Sequence, residues 1–114
     1  MAYDRELADR IRAALGAEDG ITEQAMFGGL GFMVRGNMAV AASGQGGLMV
    51  RVNPADADAL IDDVRVRPMV MRGREMRGWL RVDAEAVDSA GELGAWVARG
   101  VSFARSLPAK GRRA

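Results

Sequence analysis

The sequence has neither cysteine nor histidine. Without cysteine there are no disulfides, no thiol nucleophiles and no Cys-based zinc or iron–sulfur sites. Without histidine the usual general base near neutral pH is gone, and with it the commonest metal-binding side chain. Nucleophilic triads in their common forms are thereby excluded. No apolar run approaches the about 20 residues that a membrane-spanning helix needs. The opening Met1-Ala2-Tyr3-Asp4-Arg5-Glu6 has no basic segment leading into an apolar one. These absences place the chain in the cytoplasm, away from membranes. Lysine is almost missing, Lys110 being the only one, so arginine carries the positive charge. A net charge of +1 lacks the basic surplus expected of a nucleic-acid-binding domain.

What remains is an ordinary globular composition on a chain of 114 residues, 49% apolar and 27% charged. That length fits one domain, read here as residues 1–108 with a flexible tail over 109–114. Tyr3, Leu7, Ile11, Ala14 and Leu15 recur at helical spacing and predict an amphipathic first helix, ended by Gly16 and Gly20. Ile21 to Gln24 leads into a strand region. There Leu30, Phe32 and Val34 alternate with Gly31, Met33 and Arg35, and Gly36-Asn37 reads as a two-residue hairpin turn before Met38 to Ala42. Leu48 to Val52 follows as a third strand. Asn53 with Pro54 opens a short helix to about Asp63. Val64 to Met71 and Glu75 to Val82 form a second antiparallel pair joined through Arg72-Gly73-Arg74. Ser89 and Glu92 then cap a long final helix that Leu107-Pro108 stops. The order is helix, three strands, helix, two strands, helix. It predicts an α+β fold of two layers, an antiparallel sheet with helices packed against it.

Candidate chemistry is sparse. Asp56, Asp58, Asp62 and Asp63 are close in sequence, but acidic residues on a short helix read as a solvated face and a complement to the helix dipole. Gly28-Gly29-Leu30-Gly31 and Gly44-Gln45-Gly46-Gly47 lack the flanking elements of a phosphate cradle and read as turns and close backbone approaches. No catalytic residue, metal site or cofactor is expected. Side-chain alternation puts Arg77, Trp79 and Arg81 on one face of the last strand, and Met76, Gly78, Leu80 and Val82 on the other. Arg65, Arg67, Met69 and Met71 likewise share a face of the strand before it. Arginines around Trp79 can stack bases and neutralise phosphates, so Arg65, Arg67, Arg77 and Arg81 are the candidate nucleic-acid contacts. A solubilising role for the same arginines competes with this reading. A Gly36-Asn37 turn would also set Met33 opposite Val40, giving an outward apolar face of Met33, Met38, Val40 and Trp79. Such a patch predicts a homodimer or a protein partner, unless the second helix or the Ser43 to Gly47 loop covers it.

Met26-Phe27-Gly28-Gly29-Leu30-Gly31-Phe32-Met33-Val34-Arg35-Gly36-Asn37-Met38 resembles the opening signature of N-terminal domains of the TfoX/Sxy family. That signature is an MFGG run followed by a glycine-containing strand and a tight hairpin. Leu48-Met49-Val50-Arg51-Val52, Trp79 and Phe103-Ala104-Arg105-Ser106-Leu107-Pro108-Ala109-Lys110 extend the resemblance over nearly the whole chain. It implies a bacterial protein with a two-layer arrangement similar to type III secretion chaperones, and a structural role for Met26, Phe27, Gly28, Gly29, Gly31 and Gly36. Full-length relatives regulate natural competence together with the cyclic-AMP receptor protein and carry a second, C-terminal domain, before which this chain stops. The resulting expectation is a non-catalytic regulatory or interaction domain. A nucleic-acid-binding module on the arginine and Trp79 face is the alternative.

Overall fold

The structure is a computed structural model that describes residues 3–16, 18–26, 28–62 and 64–108, with the backbone alone for Met71. Asp4 begins the first helix, α1 (Arg5–Leu15), its carboxylate accepting from the backbone N–H groups of Glu6 and Leu7 at 2.9 and 3.1 Å. One stripe of that helix, Leu7, Ala8, Ile11 and Leu15, is buried. Four strands follow: β1 (Ile21–Met26), β2 (Gly29–Val34), β3 (Asn37–Ala42) and β4 (Leu48–Arg51). The Asn53 side chain caps α2 (Pro54–Leu60), which stops earlier than its sequence suggests. Asp63, the expected end, lies outside the described residues. The hairpin β5 (Val66–Met71) and β6 (Arg74–Val82) comes next, then a 3-10 turn over Ala84–Val87. The long helix α3 (Ala90–Ser106) closes the fold, capped by the Ser89 hydroxyl, which accepts from Glu92 N–H at 3.0 Å. None of the described helices is long and apolar enough to cross a membrane.

The six strands form one antiparallel sheet in the order β1-β2-β3-β4-β6-β5. The α+β, two-layer expectation holds, with one strand more than the sequence pattern indicates. That strand is β1, at the edge of the sheet: only Ile21 and Met26 are half-buried, and Thr22 to Ala25 are exposed. An edge strand that packs so little of its surface carries no alternating apolar signal. It is tied to α1 instead by the Arg12 guanidinium, which donates to both carboxylate oxygens of Glu23 at 2.6 and 2.8 Å. That pairing holds the Glu23 carboxyl below its ordinary pKa.

The first internal hairpin differs by one residue from the expected register. Its turn is Arg35-Gly36, both at positive φ (53° and 87°), and Val34 pairs with Asn37. Asn37 belongs to β3 because its side chain is committed elsewhere. It is buried and donates from Nδ2 to the Pro108 carbonyl at 2.8 Å, tying the end of α3 to the hairpin. A bulge then intervenes, since Met33 faces Met38 while Phe32 faces Val40, leaving Ala39 as the extra residue. Ala39 and Val40 are both fully buried in the helix-side core.

α3 rides directly over that bulge. A Cβ added at Gly100 would come within 2.4 Å of the Ala39 carbonyl oxygen, so glycine is what permits the approach. Phe32, Ile11, Leu48, Leu80 and Leu93 fill the space between the sheet and the helices.

Candidate functional site: a methionine-lined sheet face

Side-chain alternation gives the sheet two faces, and they differ in chemistry. The helix-side core is built from leucine, valine, isoleucine, alanine, phenylalanine and tryptophan, with no methionine among the described residues. Across the sheet, Met38, Ala41 and Met49 form a second buried cluster, with Met26, Met33, Met69 and Trp79 packed on it half-buried. All members of that cluster come from strands. α2 lies with the other helices, burying Ala57 in the first core, so no described helix covers this outer face.

The outer face is a cleft of about 790 Å³, lined from all six strands. Six of the eight methionines contribute: Met26, Met33, Met38, Met49, Met69 and Met76. Trp79 and Val70 join them, Val70 being 54% exposed on the arm of the β5–β6 hairpin. Ser43, Gly44 and Gln45 of the loop after β3 also line the cleft. Arg81 holds that loop in place by donating to Gln45 Oε1 at 2.8 Å and to the Gly46 carbonyl at 3.3 Å.

Three arginines line the cleft, Arg51, Arg72 and Arg81, and among the described residues its lining contains no aspartate or glutamate. None of the three is ion-paired among the described residues. Arg51 is near two aromatic rings, its guanidinium carbon 5.1 Å from the Trp79 ring centroid and 5.4 Å from that of Phe103. This contact braces Trp79 from the edge of the cleft toward α3. Arg72 stands in the β5–β6 turn beside Gly73, at φ 55°.

Of the residues expected to make an interaction surface, Met33, Met38 and Trp79 come together on this face. Val40 does not: it is 0% exposed and faces the helices, because the bulge that leaves Ala39 as the extra residue reverses the alternation beyond Met38, while the Arg35-Gly36 turn makes Met38 the partner of Met33. Met76, assigned by simple alternation to the helix side, lines the cleft instead. The pairing jumps between Pro68 and Val70, with Pro68 opposite Leu80 but Val70 opposite Glu75, and this breaks the alternation along β6. Met26, Met49, Met76, Arg51 and Arg72 were not read as parts of one surface. Their common signal is methionine recurring on several strands of a chain whose other core is Leu- and Val-rich.

The four candidate nucleic-acid contacts are not equivalent. Arg67 and Arg81 are cross-strand partners, but Arg67 is ion-paired with Asp83 and Arg81 is engaged with the loop. Arg65 precedes β5, and Arg77 is exposed on β6.

In the family motif, Gly29 is the tightest position. A Cβ there would sit 2.5 Å from the Ala42 carbonyl oxygen and 3.0 Å from Gly44 N, so β2 and the end of β3 close together only without one. Gly31 has Met38 Cε and Met26 Sδ over it, 3.1 and 3.5 Å from where its Cβ would be. The missing side chain there makes the seat on which those two methionines lie. Phe27 lies outside the described residues.

Of the clustered aspartates, Asp62 has a structural role. Asp62 accepts from the backbone N–H groups of Val64, Arg65 and Val66 at 2.9, 2.8 and 2.9 Å, which pulls its carboxyl below the ordinary range and shapes the turn into β5. Asp56 and Asp58 are exposed on α2. Among the described residues no group of three or more acidic side chains is placed to hold a metal ion.

Compared with known proteins, the chain matches the family described as TfoX N-terminal domain over residues 13–104. No curated protein and no solved structure matches it.

Proposed function

The chain belongs to the TfoX N-terminal domain family, and from that premise we propose that it is a non-catalytic regulatory domain that binds a partner protein on its outer sheet face. One observation carries this reading: among the described residues, methionine is concentrated on the face that no described helix covers and is missing from the face that the helices do cover. Methionine is flexible and polarizable, suiting a surface that moulds itself to an incoming side chain better than one packed once on folding. A core that needed only volume would have no reason to sort its methionines by face.

Nucleic-acid binding is the alternative, supported by the arginines around Trp79. Two observations weigh against it: Arg67 is already ion-paired with Asp83, and among the described residues Trp79 is the only aromatic side chain lining the cleft, where successive bases would need several.

The test is capture from the native cell with the wild-type chain and with the Met33→Glu and Met69→Glu variants, each checked for folding by circular dichroism. A protein retained by the wild type, lost with both variants and indifferent to nuclease supports the reading. Equal capture by all three chains, or loss on nuclease treatment, refutes it.

A further inference from the structure

We infer that the occupant of the methionine-lined face is an acidic amphipathic helix of a partner protein. This rests on the binding reading above and specifies the partner's chemistry. The shape of the face is the first argument. Its lining comes from all six strands, and neighbouring strands lie about 4.8 Å apart, so the floor crosses roughly 24 Å. A helix rising about 1.5 Å per residue spans that width in about 16 residues. A compact metabolite would leave most of this floor bare. An amphipathic helix instead lays an i, i+3, i+4, i+7 row of apolar side chains along it.

Charge is the second argument. Among the described residues Arg51, Arg72 and Arg81 line the cleft without an acidic residue, and none of the three is ion-paired. An occupant with aspartates or glutamates flanking its apolar row meets these cations, and a basic one is repelled. The same charges disfavour a second copy of this chain. In a two-fold contact the same patch meets itself, which would bring arginines against arginines across a lining whose described residues include no acid. Nor do α1 and α3 offer another copy a stripe of large apolar side chains, because Leu7, Ile11, Leu15, Leu93, Trp96, Val97 and Val101 are buried in this chain's own core.

The probes are two designed helical peptides of about 16 residues with the same leucine row, one carrying glutamates on its remaining positions and the other lysines. A single-stranded oligonucleotide is the third probe. Binding is followed by anisotropy of labelled probe and by the methyl resonances of 13C-methyl methionine in the full chain. The glutamate peptide is expected to bind, to shift the methyls of Met33, Met38, Met49 and Met69, and to bind at least about tenfold more tightly than the lysine peptide. Arg72→Glu, at an exposed turn outside the core, should weaken the glutamate peptide and strengthen the lysine one. Arg51→Glu should act in the same direction.

Equal affinity for the two peptides overturns the inference, as does binding that leaves the cleft methyls unmoved or a preference for the oligonucleotide. A glutamate peptide that fails to bind, where capture from cells is nonetheless lost with Met33→Glu and Met69→Glu, refutes the acidic helix and leaves the binding face standing. Failure of both experiments removes the face as well.

Discussion

Arg51 and Trp79 are direct partners across β4 and β6, and the guanidinium of one lies 5.1 Å from the ring centroid of the other. The Phe103 ring of α3 lies 5.4 Å from the same guanidinium. One arginine thus links the outer face to the helix layer at the end of β4, where the sheet stops separating them. Each such contact contributes about 0.5 to 1 kcal/mol at a partly exposed site. Arg51→Met, which keeps the aliphatic stem, is expected to lower stability by about 1 to 2 kcal/mol in urea titration. Arg51→Lys should recover only part of this, because an ammonium lacks the planar surface that stacks on aromatic rings. An unchanged midpoint for Arg51→Met would show that the arginine is held there for some reason other than the rings.

Two glycines of α3 should respond to alanine in opposite ways. At Gly94 an added Cβ meets nothing within 4 Å, so Gly94→Ala should stabilise by about 0.4 to 1 kcal/mol through helix propensity and a less flexible unfolded chain. At Gly100 it would meet the Ala39 carbonyl oxygen at 2.4 Å and Val40 Cγ1 at 2.9 Å. Helix and bulge must then separate, and Gly100→Ala should destabilise by about 1 to 3 kcal/mol despite the same propensity gain. Thermal melts of the two variants side by side decide the point, and a shift in the same direction for both would contradict it.

How much of this was readable in the residues depended on how local the signal was. Caps such as Asn53 and Ser89, and the apolar row of α1, act within one element, and they mark α1, α2 and α3 correctly. β1 was missed because its partners, Arg12 and β2, supply what its own sequence lacks. The Arg35-Gly36 turn was displaced by one residue because the bond from Asn37 to Pro108 spans 71 positions, beyond the reach of local turn chemistry. The bulge at Ala39, which strict alternation does not announce, is what turns Val40 to the helix side. The outer apolar face itself was legible from Met33, Met38 and Trp79. Its extent was not, since Met76 reaches it only through the irregular pairing of β5 with β6.

Asp62 sets an acid dependence. Its carboxylate accepts three backbone N–H groups, so its folded-state pKa lies below that of the unfolded chain. A lowered value means the stabilisation is fully present above the unfolded pKa of about 3.9 and disappears as pH falls through the folded value. Glu23, held by Arg12, acts in the same direction. Asp62→Ala should therefore be less stable than the wild type at neutral pH, with the gap narrowing below about pH 4. Asp62→Asn, which keeps an acceptor oxygen without the charge, should fall between them. Urea midpoints across an acidic pH series give the comparison, and a gap that stays constant with pH would mean that the carboxylate charge contributes nothing at that turn.

Oxidation separates the two hydrophobic clusters chemically. Peroxide converts accessible methionine to the polar sulfoxide, and methionine sulfoxide reductases reverse the change. Met26, Met33, Met69 and Met76 are half-buried on the outer face and should react first, whereas Met38 and Met49 beneath them are nearly covered. Because the helix-side core contains no methionine among the described residues, the early sulfoxides should leave the melting temperature almost unchanged. They should at the same time abolish binding of the glutamate peptide, since a floor made polar no longer favours burial of leucine side chains. Reductase treatment should restore that binding. Mass spectrometry of tryptic peptides orders the reactive positions, and calorimetry on the same samples reads the fold. A melting temperature that drops before peptide binding is affected would show that these methionines stabilise the fold itself, and the outer face would then be a second core in place of a binding surface.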